Sequence, residues 1–217
     1  MNKIICNTEE MLKGHYETLI LKEINSKIHI TEDTTVDNLV FEVDNFDVHF
    51  IFEDNVKFSL KSILDVKNIS GKIHLEVNHK NEIYFGLGIK SFSQNKLDVL
   101  TDMIGNDSNC EVKIRIVGET NSKMVMKTSG NLPESTKNNT FVENVKYLFD
   151  EDSYIEVLPE LYVFSNDVLA NHNMSVGKMS EEELFYLESK GLTALEAQEI
   201  YREGFIESVK KERDSYE

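Results

Sequence analysis

Lys72-Ile73-His74-Leu75-Glu76-Val77 alternates polar and apolar residues without a break. Successive side chains of a strand point to opposite faces, so this run reads as a strand with one buried face. Upstream, Val48-His49-Phe50-Ile51-Phe52 is apolar almost throughout and fits a strand covered on both faces. Similar short β-rich runs fall at 18–21, 27–30, 38–43, 56–60, 82–85, 111–117, 123–127, 146–149, 155–157 and 160–164. Between them lie Glu53-Asp54-Asn55, Asn68-Ile69-Ser70-Gly71 and residues 78–81 and 105–109, rich in Asn, Asp, Ser and Gly. These residues favour turns because they tolerate left-handed backbone or bond their own main chain. Many short strands at fairly even spacing mean a sandwich, a barrel or a β-solenoid. No self-similar repeat marks a regular solenoid, so periodicity alone leaves all three open.

The pattern changes after Val176. Ser180 with Glu183, and Thr193 with Glu196, are two capping boxes, in which each hydroxyl and each carboxylate satisfies a backbone N–H at a helix start. Glu181, Glu182 and Glu183 suit the positive end of the helix dipole. Gly191 stands where a C-terminal glycine cap closes the first helix. The second helix is expected to bury Leu195, Ile200 and Phe205, with Gly204 weakening or bending it. The charged tail 210–217 is expected to fray.

The 217 residues are 40% hydrophobic, enough for a core. The net charge is -16, with a pI near 4.8. Excess carboxylates repel phosphate backbones and anionic lipid, so neither nucleic acid nor a membrane surface is an expected partner. No run approaches the roughly 20 apolar residues of a membrane helix. The first seven residues, with one charged side chain and a very short apolar run, do not read as a signal peptide. Cys6 and Cys110 are the two cysteines, with no Cys-x-x-Cys pair. A disulfide framework and a self-contained four-thiolate site are therefore not expected, and a cytoplasmic setting is. No glycine-rich phosphate loop and no Gly-x-Ser-x-Gly nucleophile motif occurs, so the chain is not expected to bind nucleotide or to act as an enzyme alone.

Pro159-Glu160-Leu161, Asp167-Val168, Asn171-His172-Asn173-Met174-Ser175-Val176-Gly177, Leu184-Phe185-Tyr186-Leu187-Glu188-Ser189-Lys190-Gly191 and Gly204-Phe205 follow one another in this order. The series resembles the C-terminal signature of the SufB/SufD family of iron–sulfur cluster assembly scaffolds. A looser likeness joins Asp98 and Thr101 to the family's Asp-x-x-Thr strand, and Phe141 with 144–148 to its Tyr-x-Gln-x-x-x-x-Leu segment. The chain is shorter than is usual for the family. The resemblance implies a mainly β fold: a right-handed parallel β-helix body at 1–176 with a small C-terminal α-helical appendage at 177–217. It implies a homodimer, or a heterodimer with a second SUF subunit, joined at the β-helix. A SufC-like ABC-type ATPase is expected to dock on the helical end, and a transient iron–sulfur cluster is the implied cargo.

His172 resembles the family histidine near the dimer interface, and imidazole suits iron when a lone pair is free. A histidine at a strand end more commonly bonds a neighbouring backbone group. Two departures follow: the position of SufB's sulfur-receiving cysteine aligns with Asn144, and Asn173 stands where SufB has a glutamate. An amide replaces neither a thiolate nucleophile nor a good iron ligand. An upstream family histidine aligns near Gly105, and in these respects the chain looks more like SufD or a minimal scaffold. Cys110 is the second metal candidate, although a lone cysteine usually acts as an inert small hydrophobe. Leu184, Phe185, Tyr186, Leu187, Gly191, Gly204 and Phe205 are the candidate ATPase-docking residues, with Leu184 and Leu187 expected to face inward. His15, His29, His49, His74 and His79 show no metal-ligand spacing and read as ordinary surface or strand residues.

Three functions therefore stand side by side: a scaffold holding a nascent cluster, a structural partner of an ATPase that carries no iron, and a β-helix enzyme acting on polysaccharide. The last needs carboxylates aligned at a scissile bond, and neither the N-terminus nor the C-terminal motif favours it. Two His172 side chains are expected to approach across a two-fold axis.

Overall fold

The computed structural model describes residues 3–149, 152–177 and 179–211; the tail beyond Lys211 lies outside them. The alternation at 72–77 recurs coil after coil. Ile73, Leu75 and Val77 are buried, while Lys72, His74 and Glu76 lie on the outer face. Fifteen strands result among the described residues: β1 (Lys3–Cys6), β2 (Glu9–Tyr16), β3 (Thr18–Leu21), β4 (Asn25–Val36), β5 (Leu39–Phe41), β6 (Asn45–Phe52), β7 (Lys57–Lys67), β8 (Ser70–Val77), β9 (Glu82–Phe92), β10 (Gln94–Met103), β11 (Asn109–Gly118), β12 (Lys123–Leu132), β13 (Asn139–Phe149), β14 (Tyr154–Val163) and β15 (Val168–Val176). Two helices, α1 (Glu181–Ser189) and α2 (Ala194–Glu207), and a 3-10 turn at Ser208–Lys210 follow.

The fold is a parallel β-helix. Even-numbered strands from β4 to β14 stack on one side and odd-numbered strands from β7 to β15 on the other. β4 belongs to both, pairing β6 through its first half and β7 through Thr34–Val36. β1, β3 and β5 form a small third sheet. The coils widen along the chain. Stacked partners lie 18 residues apart at Glu9 and Lys27, 22 at Asn25 and Asp47, 25 at Asn45 and Ser70, 29 at Gln94 and Lys123, and 31 at Lys123 and Tyr154.

Corners repeat where the strands do not. Asn55, Lys80, Asp107 and Asn138, each just before an odd-numbered strand, have φ between 54° and 62°. Asn68, Ser93 and Asn121 take the same left-handed turn before even-numbered strands. Buried polar residues behind these turns tie one coil to the next. Asn81 Oδ1 accepts from Val56 N–H, Ser108 Oγ accepts from Asn81 N–H, and Asn139 Oδ1 accepts from Ser108 N–H, each at 2.9 Å. Every corner N–H is thereby satisfied inside the core, where an orphan costs about 1–3 kcal/mol. Between the sheets, Phe50 packs near Phe52, Phe58 and Phe85.

α2 and the 3-10 turn lie on the outer face of β7, β9 and β11. Gly86 and Gly88 make room for them: a Cβ at Gly86 would sit 2.9 Å from Val209 O, and one at Gly88 3.2 Å from Ile206 O. Tyr84 Oη donates to Val209 O at 2.6 Å, and Arg115 Nε to Ser208 Oγ at 3.2 Å. The buried helix positions are Ala197, Ile206 and Val209, with Phe205 half-buried. Leu195 and Ile200, expected inside, are 69% and 52% exposed. The small Ala197 and the glycine pair let the backbone approach closely on one narrow face, and this excludes the bulkier side chains from it. The run at 48–52 differs from expectation too, since His49 and Ile51 are only half-covered on the outer face.

Candidate functional site

β14 and β15 are the last strands of their sheets, so each has one unpaired edge. Their inward positions follow from register with the coil below. Met124, Met126, Thr128, Gly130 and Leu132 stand beneath Ile155, Val157, Pro159, Leu161 and Val163. Phe141, Glu143, Val145 and Tyr147 stand beneath Ala170, His172, Met174 and Val176. His172 is thus the one polar residue at these positions of the final coil. It is exposed because no further coil covers it, and Val163, Met174 and Val176 beside it are 43%, 47% and 54% exposed.

Glu143, in the layer beneath His172, was not singled out by the sequence. Its carboxylate points into the core and is 2% exposed. Thr128 Oγ1 donates to Glu143 Oε1 at 2.6 Å. Burial pushes the carboxyl up to about 7, with the threonine bond opposing part of that rise. The signal was legible: in Phe141-Val142-Glu143-Asn144-Val145 the acid shares the face of the two apolar residues.

Cys110 stands elsewhere. It is 2% exposed, in the column that runs from Ile83 through Cys110 to Phe141 and Ala170. Two coils and two register positions separate it from His172, roughly 12 Å by strand geometry, with the buried Phe141 in between. Burial, then the negative charges of Glu111 and Glu143, raise its thiol far above the ordinary range. Cys6 is also buried, at the opposite end of the helix, and burial raises it as well. Among the described residues no group of three His, Cys, Asp or Glu side chains could hold a metal. The structure therefore does not bring Cys110 and His172 together.

Asn144 and Asn173 pair with each other across β13 and β15 and face outward, away from His172. Arg115 Nη1 donates to Asn144 O at 3.1 Å and to its Oδ1 at 3.0 Å. Gly105 has no space for a histidine, because a Cβ there would meet Asn78 backbone at 2.3 Å.

On α1, Leu184 and Leu187 are half-buried, whereas Phe185 and Tyr186 are 72% and 59% exposed. Both capping boxes are formed, with Glu183 N–H donating to Ser180 Oγ and Glu196 N–H to Thr193 Oγ1. Gly191 closes α1 at φ +95°. Gly204 lies within an unbroken α2 with open space at its Cβ position. Phe205 packs with Val117, Leu148 and Ile206 and lies over Arg115.

The histidines the sequence left scattered form a ladder on the outer face of the even-numbered sheet. The 25-residue coil brings His49 and His74 side by side, their rings stacked at 4.3 Å. His74 Nε2 is 2.7 Å from Asp102, His49 Nε2 3.2 Å from Glu76, and His29 lies between Glu9 and Glu53. Each imidazole faces a carboxylate, which makes the ladder a charge-balanced sheet surface.

Residues 55–205 match the family described as SUF system FeS cluster assembly, SufBD core domain. Iron-sulfur cluster assembly SufBD family proteins of Staphylococcus saprophyticus, Staphylococcus haemolyticus and Staphylococcus aureus are each 40% identical to this chain over 65 residues. The aligned part is 30% of this chain and spans 14% of each of those relatives.

Proposed function

The chain belongs to the SufBD family of iron–sulfur cluster assembly proteins, and from that premise we propose that it is a scaffold subunit on which a cluster forms at the open end of the β-helix. One observation carries this: the uncovered last coil presents His172 as the one polar group on an otherwise apolar inner face. An apolar surface with unpaired strand edges calls for a covering partner. A second copy of the chain, or a second SUF subunit, takes that place and brings a second set of ligands to His172. The exposed Phe185 and Tyr186, with Leu195 and Ile200, offer an apolar band on the helices for a SufC-like ATPase. The chain itself catalyses no reaction and works in the cytoplasm. No described helix is long and apolar enough to cross a membrane.

A second reading is favoured by the inaccessible Cys110 and the outward Asn144: a structural partner of the ATPase that holds no iron. Anaerobic reconstitution with iron and sulfide, with and without a SufC-like ATPase, separates the two. Stoichiometric iron with visible absorbance, lost in His172→Ala and kept in Cys110→Ala, supports the scaffold. Tight ATPase binding with no iron supports the structural partner.

A further inference from the structure

We propose that Glu143 is a metal ligand acting with His172, so that each chain offers one carboxylate and one imidazole to a single divalent first-row cation at the open end of the β-helix. This deepens the scaffold reading and rests on it only for the identity of the ion as iron.

Three observations converge. Glu143 and His172 are direct partners in the parallel pairing of β13 and β15 and project from the same face, which sets their Cα atoms about 4.8 Å apart. Side chains on adjacent strands at that spacing can close on one ion. Next, Glu143 is 2% exposed, with a hydrogen bond from the Thr128 hydroxyl and no ion pair among the described residues. A buried carboxylate without a cation is costly to a fold, and nothing in the apolar surroundings of Met126, Phe141 and Val145 offsets that cost. A divalent ion would. Finally, the terminal coil alone lies above Glu143, and its edge is open, so an ion has a route in. Oxygen and imidazole donors together suit Fe2+, Co2+, Mn2+ or Zn2+ without a thiolate. The remaining coordination positions stay free for water, sulfide or a donor from a covering subunit. Thr128, bonded to the other side of the carboxylate, orients it as second-layer partners of metal ligands do.

The test is calorimetric titration of the purified chain with Co2+ under anaerobic conditions. The variants are Glu143→Gln, Glu143→Asp, His172→Ala, Cys110→Ala and His74→Ala, each first checked for a wild-type circular dichroism spectrum. Glu143→Gln keeps the shape and the threonine bond, so loss of binding there reports the carboxylate. One Co2+ per chain is expected, weakened at least tenfold in Glu143→Gln and in His172→Ala, partly kept in Glu143→Asp, and unchanged in Cys110→Ala and His74→Ala. Binding within twofold of wild type in Glu143→Gln overturns the assignment. So does wild-type protein that takes up no Co2+, or binding lost in His74→Ala alone, which would put the ion on the outer histidine ladder. Cluster reconstitution separates this inference from the scaffold function. A Glu143→Gln variant that holds a full cluster removes Glu143 and leaves the scaffold, whereas Glu143-dependent Co2+ uptake with no cluster ever formed does the reverse.

Discussion

Replacing Glu143 with glutamine should stabilise the free protein, and by more at pH 8 than at pH 5. The folded carboxyl holds its proton to about 7 against an ordinary 4.5. Between those values the folded chain binds a proton that the unfolded chain has released, so stability falls as pH rises, by about 1.4 kcal/mol per pH unit. The loss begins at the unfolded value and is complete once pH has passed the folded one, about 3 kcal/mol in all. Glutamine has no charge to bury, and its Oε1 still accepts from Thr128 Oγ1. The gain from Glu143→Gln is therefore about 1 kcal/mol at pH 5 and about 3 kcal/mol at pH 8, with Tm at pH 8 raised by roughly 6–12 °C. Urea unfolding followed by far-UV circular dichroism at both pH values measures it. An equal gain at the two pH values, or a more stable glutamate at pH 8, would refute the placing of this carboxylate in the core.

Gly86→Ala should lever the 3-10 turn away from the sheet, because the new Cβ meets Val209 O and the Tyr84 ring at 2.9 Å. A cost of about 1–3 kcal/mol is expected, seen as faster amide exchange in α2 while β6 to β13 stay protected. Asn81→Ala orphans the Val56 N–H and the Phe52 carbonyl of one corner, lowering the urea midpoint by about 1–3 kcal/mol per orphaned group. Asp102 is held below the ordinary carboxylate range, first by the hydrogen bond from His74. Its contribution is present above the unfolded pKa and lost as pH falls through the folded one, so the penalty of Asp102→Asn at pH 7 should shrink toward zero in acid. A penalty independent of pH would sink that assignment.

Much of the architecture was written in local pattern. The period-two alternation at 72–77 and the capping boxes at Ser180 and Thr193 depend on neighbours within a few residues, and the structure has them as expected. The coils were not visible as a repeat because their length drifts from 18 to 31 residues, which removes any fixed period. Strands β10 and β15 were not assigned from periodicity. In β15, Asn171, His172, Asn173 and Ser175 interrupt the apolar face, since an open end does not demand the pattern that a covered layer does. The likeness at 159–205 did point to His172, but only the parallel register could show which residue lies beneath it. Cys110 illustrates the converse: its residue type suggested a ligand, and its place in the Ile83–Cys110–Phe141 column makes it core packing. The inward side of α2 was misjudged because Leu195 and Ile200 are more hydrophobic than Ala197, whereas a glycine-floored groove selects for smallness.

The widening of the coils also bears on how the chain can polymerise. Stacked tip to base, identical cylinders would continue one another indefinitely, which is the geometry of a fibre. Here the narrow tip begins with the four-residue β1, while the broad base ends in the ten-residue β14 and the nine-residue β15. A tip cannot cover a base of nearly twice its circumference, so tip-to-base growth leaves apolar rim uncovered at every junction. Base-to-base contact matches like with like and terminates after two copies. A concentrated solution should accordingly scatter light as a closed species of fixed mass, not as filaments that lengthen with concentration.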